Sequence, residues 1–172
     1  MLEKIYESII GDLKLEKRPR ILLTPEIEQE LIKNLENSLN LEQTLCIICH
    51  LSRPNTSIGQ NLIHLLEKNI SINDQIYTLE GIQHHIMDAR MISGDRLSPD
   101  FLHRFNQYLQ NCSKKVLPFT LTIIENSGSQ GIYFKPALEK IKWGFFDVFN
   151  KQNREVISRI DFLINRWQKF TK

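Results

Sequence analysis

Apolar side chains recur at helical spacing over almost the whole chain, and this period constrains the fold more than any other feature of the sequence. Leu2, Ile5, Ile9 and Leu13 form one set, Ile27, Leu31, Leu35 and Leu39 a second, and Leu41, Leu45, Ile48 and Cys49 a third. After the break at Arg53-Pro54-Asn55 the pattern resumes with Ile58, Leu62, Leu65 and Leu66. Faces of this kind must bury against one another. The expected fold is therefore all-α or nearly so: a compact single-domain bundle over residues 1–172 with roughly seven to eight short helices.

Two helix starts are written into the chain. Thr24-Pro25 and Ser98-Pro99 each place a hydroxyl acceptor at the cap and a proline at the first helical position. Glu26 or Asp100 follows, near the positive end of the helix dipole. Beyond Ser98 the residues Phe101, Leu102, Phe105, Tyr108, Leu109 and Cys112 predict a strongly amphipathic helix. Thr78 is expected to cap a helix carrying Leu79, Ile82, Ile86 and Ala89 and ending near Gly94. Pro136 is expected to open one carrying Leu138, Ile141, Phe145, Val148 and Phe149, and Val156, Ile160, Leu163, Trp167 and Phe170 belong to the last. Between them the period changes. Phe119-Thr120-Leu121-Thr122-Ile123 alternates and is β-branched, and residues 126–131 carry turn chemistry, so a small β-hairpin over 118–134 is expected, with a helical turn from Pro118 as its rival.

No apolar run approaches the roughly 20 residues that span a bilayer, so no membrane insertion is expected. Three cysteines without an export segment near the start point to reduced thiols and a cytoplasmic location. The net charge is only +2, yet residues 135–172 hold nine Lys or Arg against four acids, leaving that end at +5 and the remainder at −3. Attraction for an anionic partner should therefore concentrate in the C-terminal part.

Cys46-Ile47-Ile48-Cys49-His50 matches the Cys-x-x-Cys-His pattern of covalent haem attachment, but that chemistry belongs to an exported, oxidising compartment. The competing reading is a packed helix, because Cys49 shares a face with Leu45 and Ile48. His84-His85-x-x-Asp88 offers an imidazole and a carboxylate one turn apart, which could hold a metal or orient a general base. Adjacent histidines diverge by about a hundred degrees on a helix, however, and the rest of a ligand set is missing unless His64 or His103 converges on them. The expected state is a solvated His84–Asp88 pair with His85 partly packed. The Gly/Ser-rich run at 126–131 lacks the Lys-Ser/Thr ending of a phosphate-cradling loop and reads as a loop tip. No catalytic, cofactor-binding or metal-ligating set is assigned.

The function expected from these residues is a non-enzymatic helical interaction module, an adaptor, chaperone-like component or subunit of a larger complex. Its basic, aromatic surface would comprise Lys140, Lys142, Trp143, Phe146, Arg154, Arg159, Arg166 and Lys169, and a protein is the favoured partner. Nucleic acid bound through the basic C-terminal helices is the alternative, since the same cations could meet phosphates. A metal-dependent enzyme using His84, His85 and Asp88 is a third reading.

Overall fold

The computed structural model describes residues 1–144 and 149–168. Its fold is all-α; among the described residues the only β-type pairing is an isolated parallel bridge between Ile21 and Leu51. Cα packing divides the chain into two compact units, Met1–Asp95 and Arg96–Lys172.

In the first unit, α1 (Leu2–Lys14), α2 (Pro25–Asn37), α3 (Leu41–Cys49), α4 (Thr56–Leu66) and α5 (Ile72–Ile82) follow in order. A single π-helical stretch, Gln83–Asp88, then leads into α6 (Ala89–Ser93). The Thr24 hydroxyl accepts from the Ile27 amide at 3.4 Å, as the sequence predicts for the start of α2. Ser38 and Asn40 adopt left-handed backbone (φ 53° and 45°), which turns α2 into α3 across a short connection. The Lys68 ammonium completes that corner by donating to the carbonyls of Leu35 (3.1 Å) and Glu36 (2.6 Å), satisfying the open, negative end of α2.

Thr78 does not start a helix. Ser71 does, accepting from the Asp74 amide at 3.1 Å, and α5 runs through Thr78, whose hydroxyl donates back to the Asp74 carbonyl at 2.6 Å. A threonine inside a helix can satisfy its hydroxyl in this way, so a capping residue type alone does not mark a boundary. The core of the unit comes from Leu31, Leu35, Leu45, Ile47, Ile48, Ile58, Leu62, Leu79 and Ile82, all essentially inaccessible. Gly59 lets α4 meet the π-helical stretch closely, since a Cβ there would lie 2.7 Å from Ile86 Cγ1.

The second unit holds α7 (Pro99–Asn111), α8 (Leu117–Asn126), α9 (Lys135–Leu138) and α10 (Lys151–Gln168), with 3-10 turns at Lys114–Val116 and Gly128–Phe134. Ser98 caps α7 as predicted, accepting from the Phe101 amide at 3.1 Å. The hairpin expected over 118–134 is absent; α8 and a 3-10 turn occupy those residues. Leu117, Thr120, Leu121 and Ile124 form a buried helical face, and the Thr120 and Thr122 hydroxyls donate to the carbonyls of Val116 and Pro118. Burial on one face therefore outweighs the β-branched preference. The Gly/Ser-rich run is no loop tip. Ser127 is buried, and Gln130 exchanges two hydrogen bonds with the Leu97 backbone at 2.8 and 3.0 Å.

The helix expected from Pro136 through Phe149 is also corrected. It closes at Leu138, where bonding changes from the Glu139 amide on Lys135 to the shorter steps of Lys140 on Ala137 and Ile141 on Leu138, and residues 141–144 are not helical. Phe145 and Val148, placed on that stripe by their spacing, lie outside the described residues. Val156, Ile160, Leu163 and Trp167 of α10 are buried as their spacing predicts, and Phe170 lies outside the described residues.

Gly131 and Gly11 give opposite expectations. An added Cβ at Gly131 would sit 2.9 Å from the Ile124 carbonyl oxygen and 3.0 Å from the Trp167 ring, whereas Gly11 in α1 has nothing within 4 Å. Gly131→Ala should cost about 1–3 kcal/mol through overpacking, and Gly11→Ala should gain up to about 1 kcal/mol through helix propensity. Denaturant unfolding of both variants beside the parent checks the pair.

Candidate functional site

In the first unit the two motifs singled out by sequence serve the packing. Cys49 donates its thiol to the Tyr77 carbonyl at 3.4 Å, and burial, aided by Glu80 and Cys46, pushes its pKa up to about 12. Burial raises Cys46 as well. Thiols held protonated are poor nucleophiles, which runs against thiol redox chemistry in this string. His50 folds back so that its Nδ1–H donates to the Cys46 carbonyl at 2.8 Å, satisfying one of the open carbonyls at the end of α3.

The two histidines of the π-helical stretch have different surroundings. His85 is fully buried, more so than the partly packed state expected of it. Its Nε2–H donates to the Ile48 carbonyl at 3.1 Å and its Nδ1 accepts from the Asn55 amide at 2.9 Å, so the ring is held neutral in one tautomer. His84 pairs with Asp88 as expected, Nδ1 to Oδ2 at 3.2 Å, while its Nε2–H donates to the Leu51 carbonyl at 2.9 Å. The other Asp88 oxygen accepts from Gln83 Nε2 at 3.0 Å. Both nitrogens of each ring thus lie within hydrogen-bond distance of protein atoms. His64 faces Glu67 at 3.8 Å and His103 faces Gln107 at 3.0 Å. Among the described residues no three His, Cys, Asp or Glu side chains form a group that could hold a metal ion.

The second unit carries thirteen Lys or Arg against six acids, +7, and the first carries nine against fourteen, −5. The charge asymmetry read from the sequence therefore sharpens when the boundary is taken from the fold. Not every cation in the second unit faces solvent. Arg159, expected on the partner surface, turns inward from α10 onto α8. Its guanidinium donates to both Glu125 oxygens (2.8 and 2.7 Å), to the Pro118 carbonyl (3.1 Å) and to the Thr122 hydroxyl (3.1 Å). Those hydrogen bonds to Glu125 raise the Arg159 pKa further.

Arg154 and Arg166 are exposed on α10, as are Lys140 and Lys142 before it. Trp143 is half-buried, with the Lys114 ammonium 5.1 Å from its ring centroid. Phe146 and Lys169, also expected on this surface, lie outside the described residues. Sequence reasoning missed two contributors. Phe162 is 65% exposed in the second half of α10, aligned with Glu155, Ser158 and Arg166 on a solvent-facing side of the helix away from the buried stripe. A helical projection from the Val156–Trp167 stripe would have found it. Lys114 could not have been found this way, because it meets Trp143 only through the fold.

No family model, curated protein or solved structure matches this chain. No helix among the described residues is long and apolar enough to cross a membrane.

His85 carries a pH prediction. Burial lowers its pKa from 6.5 to about 4. The folded state favours the neutral ring, so its contribution is complete above about pH 6.5 and is lost as pH falls through that value towards 4. The loss amounts to about 3 kcal/mol by pH 4. Urea unfolding at pH 7 and pH 4.5 should show this decline in the parent and a smaller one in His85→Gln, which has no proton to take up.

Proposed function

We propose that this chain is a non-enzymatic helical interaction module that docks a protein partner along the outward face of α10. The observation that carries this reading is Phe162, a large apolar ring 65% exposed on a helix whose buried stripe packs in the core. An exposed aromatic flanked by an arginine is the kind of residue that anchors protein interfaces.

Charge along this face supports protein over nucleic acid. Glu155, Ser158, Phe162 and Arg166 form one stripe with an acid at one end and a base at the other; Arg154 and Asp161 flank it. A phosphate backbone would meet both carboxylates, whereas a partner helix or groove with an apolar socket and complementary charges accommodates each sign. The histidine and cysteine strings give the reading indirect support, since their polar atoms are engaged in packing.

Arg159 and Arg166 separate structure from binding. Arg159→Ala should destabilise the protein by about 1–3 kcal/mol, because it leaves the Glu125 carboxylate without its charged donor. Phe162→Asp combined with Arg166→Glu should leave the unfolding midpoint nearly unchanged and lower partner capture at least about 30-fold, as expected for loss of an anchor. Quantitative mass spectrometry of material co-purified from source cells, with circular dichroism of the same variants, provides both readouts. Stoichiometric capture undiminished in the double variant would remove α10 from the interface.

A further inference from the structure

We infer that the corner of the second unit where Lys114 meets Trp143 is a binding site for single-stranded nucleic acid, distinct from the Phe162 face of α10. Two stretches far apart in sequence build it. The 3-10 turn Lys114–Val116 supplies Lys114 and Lys115, and residues 139–144 supply Lys140, Lys142 and Trp143. All four lysines are exposed, and the Lys114 ammonium rests over the indole at 5.1 Å. In these stretches the one acid is Glu139, which faces Lys135 at 3.8 Å.

Three features suit a nucleic-acid strand. Trp143 is only partly buried, unlike Trp167, which is committed to the core, and a tryptophan at the surface is the residue type on which a base stacks. The Lys114 contact fixes the ring's orientation in advance. The cations are all lysines. A lysine is a compact point charge that can meet phosphates along a strand without a fixed geometry, and no exposed carboxylate besides Glu139 stands among these lysines in the two stretches. The unit's +7 charge draws a polyanion towards this corner.

The test uses the full chain and a fluorescently labelled oligothymidylate about 20 nucleotides long, a length that exceeds one such patch. Binding should weaken with salt along a log–log slope of about −2, as phosphate contacts by Lys115, Lys140 and Lys142 imply for a single strand. Replacing Lys115, Lys140 and Lys142 together by Ala, which spares the Lys114–Trp143 contact, should flatten that slope by about 2 and weaken binding at least about tenfold at low salt. Trp143→Ala should weaken it at least about fivefold through lost stacking. Phe162→Ser, which changes no charge, should leave oligonucleotide binding intact, which separates failure of this site from failure of the α10 reading. The inference is overturned by absent binding at low ionic strength, by unchanged affinity in the triple variant, by loss of binding in the α10 variant, or by a polyglutamate peptide competing as well as the oligonucleotide at equal charge.

Discussion

A neutral imidazole buried among helices holds the first unit together. His85 ties the carbonyl of Ile48 near the end of α3 to the amide of Asn55. Asn55 in turn caps α4 through the Ile58 amide and reaches Glu28 on α2 with its side-chain amide. Three helices and the π-helical stretch therefore share one chain of hydrogen bonds. A buried imidazole is tolerable only if both nitrogens are satisfied and the ring stays uncharged, and the arrangement meets both conditions. The widened turn of Gln83–Asp88 belongs to the same arrangement, in which adjacent histidines reach Leu51 and Ile48 from one stretch of backbone.

The second unit uses charge for the corresponding task. Arg159 fastens α10 to α8 with four hydrogen bonds, two of them to one carboxylate, and this anchors the helix whose far side exposes Phe162. Fixing one face of α10 is what makes the other a defined surface. A cation that looks free in sequence is thus structural, and its neighbour one turn and three residues further on, Arg166, remains at the surface.

Helix positions were largely legible because they depend on local rules: caps at Thr24 and Ser98, and apolar spacing in α2, α3, α4, α7 and α10. The failures have local reasons too. Thr78 and the Thr120–Thr122 stretch were misread because hydroxyls bonded back to the preceding turn let threonine sit inside helices. The stripe after Pro136 continued on paper past Leu138, where the backbone had already tightened and left the helix. Of the candidate site, the exposed cations of α10 and its buried stripe were readable; the inward turn of Arg159 and the Lys114–Trp143 contact were not.

By itself, the sequence determined a helix-dominated chain, the caps at Thr24 and Ser98, the buried stripes of α2, α3, α4, α7 and α10 and a basic C-terminal part, because each follows from residues within a turn or two of one another. Only the tertiary structure decided which polar groups meet. Asn55 and His85 stand 30 residues apart and Glu125 and Arg159 stand 34 apart, so no periodicity links them. The physical reason is burial: once apolar faces close, each enclosed donor and acceptor must find whatever partner the packing brings, and the side chains left outside become the surface that others can recognise.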